Sequence, residues 1–177
     1  PNALIGSDAA LLYRAKMQPG QTILINGATG VTGKIAVQMA KHRGAEKIIV
    51  TGRNEEILEE LKTLGADEII SLKQEDAAII SRIQQLHRET PIDIVLDYLW
   101  GHPVELILQA FKSLPPHKLS IVTVGEMAGP TIAMPSGILR STQIELSGSG
   151  IGSISYEDIN KYMLQELPDV FKLAADG

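Results

Sequence analysis

The chain of 177 residues contains no cysteine. Disulfides, thiol nucleophiles, iron–sulfur clusters and zinc sites built on thiolates are therefore excluded within it. A chain without cysteine suits a reducing compartment, and we expect a cytoplasmic protein. Stability then depends on a hydrophobic core, which a chain of this length can form because about 70% of its unfolded surface is buried on folding.

The chain also lacks the features of two partner classes. It has 16 Lys and Arg against 21 Asp and Glu, so the basic surface that nucleic-acid binding requires is missing. No apolar run approaches the roughly 18 residues of a membrane span, and the start has no signal-peptide layout. We expect neither a nucleic-acid nor a membrane partner. Because the first residue is Pro1 and not Met, we expect a piece of a longer protein.

Short β-branched runs alternate with longer amphipathic stretches. The runs predict six strands: Thr22–Asn26, Lys47–Thr51, Glu68–Ser71, Ile92–Asp97, Leu119–Val124 and Ile144–Ser147. Helical spacing predicts four helices between them: Val31–Arg43, Glu55–Leu64, Asp76–Arg88 and Val104–Ser113. Nearly continuous apolar strands are typical of parallel sheets covered on both faces. The pattern predicts an α/β fold with a doubly wound, six-stranded, mostly parallel sheet and helices on both faces.

Three segments lie outside this alternation. A helix over Ser7–Met17 is predicted to lead into the first strand, and a closing helix over Ser155–Ala175 is expected to break at Pro168. The loop Gly125–Ser141 is rich in Gly, Pro and Ser and is predicted to be irregular. With no repeat or linker in view, we expect one domain over residues 1–177, with lead-in residues 1–20 and closing residues 155–177.

The most informative residues follow the first predicted strand. Residues 27–34 read Gly-Ala-Thr-Gly-Val-Thr-Gly-Lys and open the first long helix. Small residues there let the backbone approach a pyrophosphate, and the helix N-terminus supplies free N–H groups. Gly33 permits close packing of helix on strand. The strand–turn–helix context predicts phosphate binding, with a purely structural turn as the alternative.

The same turn nearly matches the phosphate loop of NTPases, in which Gly-Lys precedes Ser or Thr. Ile35 stands at that position, so the hydroxyl that would bind Mg²⁺ is missing. Asp97, after an apolar run, could imitate the second metal-binding motif of these proteins. We favour a dinucleotide and keep the NTPase as an alternative.

The end of the second predicted strand indicates which dinucleotide is bound. A carboxylate there would bind the ribose 2′-OH of NAD, whereas a cation accommodates the 2′-phosphate of NADP. Arg53 lies about 20 residues beyond Gly33, the expected interval, and no acid stands at the strand tip. We predict NADP(H), bound by Arg53 with Thr51 and Asn54 as polar partners. NAD binding and a merely solvated Arg53 are the alternatives.

Residues 17–33, 36–41 and 64–70 together resemble the medium-chain dehydrogenase/reductase superfamily. Within it, they resemble the zinc-independent quinone oxidoreductase-like enzymes, which use NADPH. The resemblance covers almost the whole chain but only the Rossmann cofactor-binding domain of that family. Leu72 departs from the pattern, because these enzymes often carry a Tyr shortly after the third strand.

The resemblance also implies a set of cofactor contacts. The pyrophosphate would lie against Ala28, Thr29, Gly30, Val31, Thr32 and Gly33, and the adenosine phosphate against Thr51, Arg53 and Asn54. The nicotinamide half would lie near Asp97, Val124, Gly125 and Ser147. For Asp97, a role in capping the following loop or helix is an equally weighted interpretation.

For function, the resemblance implies hydride transfer between NADPH and a quinone, enone or similar carbonyl substrate. It implies a homodimer through the edge of the sixth strand, Ile144–Ser147. In the family, a separate GroES-like catalytic domain contacts the substrate, and no residues here match it. We therefore expect the chain alone to bind cofactor and to be inactive.

No residue of the chain is predicted to be catalytic or to bind metal. His42, His87, His102 and His117 lie in different elements without metal-ligand spacing. His42 and His87 are predicted to cap helix C-termini. His102 follows the fourth strand, and a position near the cofactor crevice is not the favoured interpretation.

Two alternatives to the oxidoreductase domain remain. An atypical short-chain dehydrogenase shares the glycine pattern but often carries Tyr-x-x-x-Lys, which none of the four tyrosines begins. A dinucleotide-sensing domain without catalysis is the other alternative.

Overall fold

Six parallel strands form one sheet in the computed structural model, which describes the backbone of residues 2–176 and the side chains of residues 4–150 and 152–172. The strands are β1 Thr22–Asn26, β2 Lys47–Gly52, β3 Glu68–Ser71, β4 Ile94–Asp97, β5 Lys118–Thr123 and β6 Gln143–Gly148. Their order is β3-β2-β1-β4-β5-β6. The predicted doubly wound fold is confirmed, and each pairing in it is parallel.

Helices connect successive strands, and further helices precede β1 and follow β6. In chain order they are α1 Asn2–Ala9, α2 Val31–His42, α3 Glu55–Leu64, α4 Asp76–Glu89, α5 Gly101–Lys112, α6 Ser136–Ser141, α7 Tyr156–Lys161 and α8 Leu167–Asp176. A π-helical segment, Ala10–Arg14, continues α1, and a second, Tyr162–Glu166, joins α7 to α8. None of the described helices is long and apolar enough to cross a membrane. Pro1 and Gly177, the ends of the predicted domain, lie outside the described residues.

Alternate side chains of β1 to β5 enter two different cores, one on each face of the sheet. Ile23 and Ile25 of β1 pack with α2 and α3, and Leu24 packs with α4 and α5. Because both faces are covered, nearly every position of the central strands is buried. This explains the continuous apolar runs from which the strands were predicted.

Local signals account for the bounds of α3 and α5. Asn54 caps α3 by accepting the N–H of Ile57 at 3.1 Å, and Gly65 ends it at φ 119°. Helix α5 begins at Gly101 and not at the predicted Val104. Trp100 and Gly101 both have positive φ, 54° and 57°, and turn the chain into the helix earlier than the apolar spacing suggests.

Two predictions about irregular segments are wrong. The end of the predicted loop Gly125–Ser141 is helical, forming α6. The closing helix does not break at Pro168, because the π-helical turn before it carries a bond from the N–H of Leu167 to the carbonyl of Tyr162. This wider turn lets the helix pass a residue that cannot donate a hydrogen bond.

A buried ion cluster ties the first and last helical segments to α2. Asp8, fully buried, accepts two bonds from the Arg43 guanidinium at 2.9 and 2.8 Å and one from the Tyr162 hydroxyl at 2.9 Å. Arg43 also reaches Glu166 at 2.9 Å. The hydrogen bonds to Asp8 raise the pKa of Arg43, and burial raises the pKa of Tyr162. The cluster fixes both segments against the end of α2.

Candidate functional site

Polar residues lie at the ends of three adjacent strands, along one edge of the sheet. Parallel register places Asn26 opposite both Thr51 and Asp97. The Thr51 hydroxyl donates to the side-chain Oδ1 of Asn26 at 2.6 Å, and the side-chain Nδ2 of Asn26 donates to Asp97 at 2.8 Å. We call these three residues the tip row. All three are buried, so the tip row fixes the carboxyl edge of the sheet from beneath.

Asp97 uses both carboxylate oxygens within the protein. Besides Asn26, it accepts the N–H groups of Leu99 and Trp100 at 3.0 and 3.1 Å, and so holds the chain as it enters α5. Burial raises the pKa of Asp97, and these hydrogen bonds oppose the rise. The geometry agrees with the capping interpretation of Asp97, whose side chain is buried beneath the crevice and not exposed in it.

The glycine-rich turn depends on close approaches between backbone atoms. The N–H groups of Gly27 and Ala28 donate to the Thr51 carbonyl at 3.2 and 2.9 Å, and Gly27 has φ 89°. A Cβ at Gly33 would overlap the backbone of Ala28, and one at Gly52 would overlap the Thr29 side chain. These contacts fold the turn tightly between β1 and α2.

Gly30 differs from these glycines because nothing lies within 4 Å of the position its Cβ would take. Its φ of −87° suits any residue, so neither packing nor conformation explains a glycine here. It stands at the start of α2, whose first N–H groups lack intrahelical acceptors and whose first turn has no acidic side chain. A phosphate group fits this open, positively polarised space.

A cavity of about 580 Å³ extends from this turn across the ends of β2, β3 and β4. We call it the turn-side cavity. Its lining includes Thr29, Gly30, Arg53, Leu72 and His102. Arg53 is exposed and, among the described side chains, makes no hydrogen bond or ion pair. A cation therefore stands free in the same cavity as the open helix N-terminus.

Two further cavities lie beyond β4. One, of about 530 Å³, is lined by Val124, Gly125, Ser149 and Gly150 among others. The other, of about 410 Å³ and mostly apolar, shares Val124, Ser149 and Gly150 and is closed by α1 and α7. We call the pair the far-side cavities. Together with the turn-side cavity they surround the point between β1 and β4 at which the strand order reverses, where α/β sheets bind ligands.

The predicted site residues divide between the crevice and other places. Thr29, Gly30, Arg53, Val124 and Gly125 line the cavities. The buried residues Ala28, Gly33 and Thr51 shape the turn beneath them, while Val31 and Thr32 form the first turn of α2. Asn54 is exposed but caps α3.

Ser147 lies away from the crevice, contrary to its predicted position. It lines a separate groove on the sheet face with Arg14, Lys118 and Glu145. The register explains this, because Gly148, not Ser147, is level with Thr123 at the end of β5. The chain reaches the crevice only with the residues that follow.

Lys34 does not point into the turn as an NTPase lysine would. Its ammonium group pairs with Glu60 of α3 at 2.9 Å. This geometry favours the dinucleotide interpretation of the turn.

The histidines correct two sequence-based predictions. His102, for which a position near the crevice was not favoured, lines the turn-side cavity. His87 is not a charged helix cap: it is buried, and its Nδ1 accepts the N–H of Ile92 at 2.9 Å. Burial lowers the pKa of His87. Within the part of the chain that the structure describes, no group of three or more His, Asp or Glu side chains could hold a metal ion.

Comparison with known proteins gives the family. The model of the zinc-binding dehydrogenase family matches residues 31–168. The chain is 29% identical over 152 residues to "Probable NADPH-dependent quinone reductase tdiC" of Emericella nidulans, covering 81% of this chain and 42% of that protein. It is 29% identical to sorbitol dehydrogenase of Bacillus subtilis over 98% of this chain and 55% of that one.

A solved structure agrees with these relatives. Quinone oxidoreductase from Pseudomonas syringae superposes with a TM-score of 0.67 at 28% identity, over 83% of this chain and 43% of that one. The chain spans about half the length of the relatives it matches. It belongs to the zinc-binding dehydrogenase family of the medium-chain dehydrogenase/reductase superfamily, and it corresponds to the Rossmann cofactor-binding domain of the quinone oxidoreductase-like members.

Proposed function

We propose that the chain binds NADP(H) and forms the cofactor-binding part of an oxidoreductase acting on a quinone, enone or similar carbonyl compound. The observation that carries this proposal is the turn-side cavity, in which the open N-terminus of α2 lies together with Arg53, which pairs with none of the described side chains. A pyrophosphate suits the first and a ribose 2′-phosphate suits the second. The name of the tdiC protein, an NADPH-dependent quinone reductase, supports the same cofactor.

The topology orients the cofactor. In a doubly wound sheet the adenosine half lies over the first three strands, where the ribose-binding residue follows β2. We therefore place adenosine in the turn-side cavity and nicotinamide in the far-side cavities, beside Val124, Gly125 and Ser149. The tip row keeps the edge between these sites rigid.

The residues of this chain bind and position, whereas NADPH supplies the hydride when bound. Helices α1 and α7 wall the smaller, mostly apolar far-side cavity and limit the access of water to it. We propose that the substrate is held by a further wall, contributed by a separate catalytic domain, so the chain alone binds cofactor without turnover.

Replacement of Arg53 tests the choice of cofactor. We expect NADPH to bind more tightly than NADH, and Arg53→Gln to weaken NADPH by about 10-fold, the value of a charge-assisted hydrogen bond, with NADH little changed. Titration of each cofactor, followed by nicotinamide fluorescence, measures both. Arg140→Gln, on an exposed arginine of α6, is the matched control. Equal affinity, or a preference for NADH, would contradict the proposal.

A second measurement tests the need for a further wall. NADPH oxidation is followed with a quinone acceptor present, using the 177-residue chain alone. We expect no turnover above the uncatalysed rate. Steady turnover would show that the far-side cavities hold the substrate without help.

A further inference from the structure

His102 lies in the first turn of α5, lines the turn-side cavity and contacts the first turn of α4. Its Nε2 is 3.0 Å from Asp76 at the start of α4, and its Nδ1 is 3.5 Å from Glu105 on its own helix. The Glu105 carboxylate is itself anchored, since it accepts the N–H of Ala133 at 2.6 Å. The His102 side chain is 58% exposed, yet two contacts on opposite sides of the ring set its plane.

These contacts leave the ring face free and its nitrogens engaged. Nε2 hydrogen-bonds to Asp76 and Nδ1 lies beside Glu105; the bond to Asp76 raises the pKa of His102, with Glu105 adding to the effect. Neither nitrogen then remains to bind a ligand. What His102 offers the cavity is a flat aromatic surface.

A phosphate is a poor ligand for this part of the cavity. The carboxylates of Asp76 and Glu105 both lie against the His102 ring and repel an anion there. Arg53, which also lines the cavity, has no acid pairing with it among the described side chains. Arg53 and His102 therefore have different roles, with the phosphate at Arg53.

The remaining wall around His102 is apolar. Leu72, Leu99, Pro103 and Met127 line the same cavity. The other ring in the lining, Tyr98, is buried, and its hydroxyl donates to Ser7 at 2.8 Å. His102 is thus the exposed aromatic ring in the described lining of this cavity.

We propose that the ring of His102, oriented by Asp76 and Glu105, is the surface on which the adenine base of the cofactor stacks. A purine with an apolar face and no charge fits this wall, and Leu72 covers it from the side of β3. The assignment rests on the proposed function, since it requires that a dinucleotide occupies the cavity. It makes His102 a determinant of specificity for the adenine base.

Three probes separate the parts of the cofactor. NADPH is the whole cofactor. The fragment 2′,5′-ADP contains the adenine and its phosphates, and reduced nicotinamide mononucleotide contains no adenine. Each is titrated by calorimetry into the 177-residue chain, its His102→Ala and His102→Phe variants, and His42→Ala. His42 is an exposed histidine at the end of α2 and serves as the matched control.

We expect His102→Ala to weaken NADPH and 2′,5′-ADP by about 10-fold, the usual effect of removing one base–aromatic stack. His102→Phe keeps a flat ring and should bind both within about 3-fold of the unmodified chain. Affinity for the mononucleotide should be the same in all four proteins. Melting temperatures check that the variants are folded.

Other outcomes overturn the assignment. Unchanged NADPH affinity in His102→Ala removes the stacking role, and equal losses in the Ala and Phe variants indicate that the charge matters and not the ring. A parallel loss of mononucleotide affinity indicates a general effect on structure. If the unmodified chain binds none of the three probes, the proposed function itself fails, which is a different result.

Discussion

At the residue scale, the glycines of the turn meet different requirements. Gly27 has a positive φ, and Gly33 sits against the backbone of Ala28 with no room for a side chain. Gly30 has room for one and an ordinary backbone conformation. Gly27 and Gly33 are therefore required by the fold, whereas Gly30 leaves space for a bound ligand.

Alanine substitutions should separate these roles. Gly30→Ala is expected to leave the free energy of unfolding nearly unchanged and to weaken NADPH about 10-fold, because the methyl group occupies the phosphate space. Gly33→Ala should lower the free energy of unfolding by roughly 2–3 kcal/mol, because the backbone must shift. Urea unfolding and NADPH titration give the two quantities.

Gly137→Ala is the control for this pair, since its Cβ also meets open space but in α6, away from the cavities. It should change neither quantity by much. A large loss of stability in Gly30→Ala would show that the glycine serves the fold instead.

The site was only partly predictable at this scale. Thr51 and Asp97 could be selected because polar residues at the ends of apolar strands meet at one edge of a parallel sheet. Asn26 has the same signal, as the last residue of β1, but its central place in the tip row depends on β1 lying between β2 and β4. The position of His102 depended on the early start of α5, which apolar spacing does not show.

At the scale of elements, the strands were the most predictable parts. Burial on both faces imposes an apolar run that ends where the sheet ends, and the predicted bounds are within two residues of the observed ones. The π-helical segments were not predictable. Their extra residue per turn is set by packing in three dimensions, such as that of buried Tyr162, and not by a local signal.

His87 joins α4 to β4 and makes that junction sensitive to pH. Its ring accepts the N–H of Ile92 and packs edge-on against Phe111 and His117, with ring centroids at 4.9 and 5.3 Å. Burial lowers the pKa of His87 below 6.5, with His117 and Arg88 acting in the same direction and Asp93 against them. The folded chain therefore holds this ring neutral.

The free energy of unfolding should fall as the pH drops below about 6.5. His87 then binds a proton in the unfolded chain but stays neutral in the folded one, because its pKa is lower there. His87→Gln keeps an acceptor for Ile92 but does not titrate. Its deficit in free energy of unfolding should be larger at about pH 7.5 than at about pH 5. Urea unfolding at both pH values measures this.

His102→Gln should show the opposite pH dependence of the free energy of unfolding. The folded pKa of His102 is raised, so its contribution is complete below about pH 6.5 and is lost as the pH rises through that pKa. Its deficit should be larger at the lower pH, and small because the ring is exposed. Parallel pH profiles for the two variants would contradict the assignment of their pKa directions.

At the scale of the whole molecule, β6 leaves one edge of the sheet unpaired among the described residues. Leu146 on this strand is 37% exposed. Unpaired edges favour pairing with a second copy across a two-fold axis. We expect a dimer in which two β6 strands meet.

Sedimentation at high protein concentration tests this expectation. The unmodified chain should sediment as a dimer, and Leu146→Lys should yield monomers, since charges on an edge strand oppose pairing. Leu164→Lys, on an exposed leucine of the second π-helical segment, should leave the dimer intact. A monomer for the unmodified chain would contradict the interface.

The tip row also sets an order of assembly during synthesis. The bond from Asn26 to Asp97 joins positions 71 residues apart, whereas the one from Thr51 to Asn26 spans 25. As the chain leaves the ribosome, β1 can pair with β2 early but keeps its other edge open until β4 emerges. Asp8 likewise meets Arg43 long before Tyr162, which lies 154 positions away. In the adenosine half of the crevice, the glycine turn can therefore form early, and the wall that follows β4, which includes His102 and Met127, is added later.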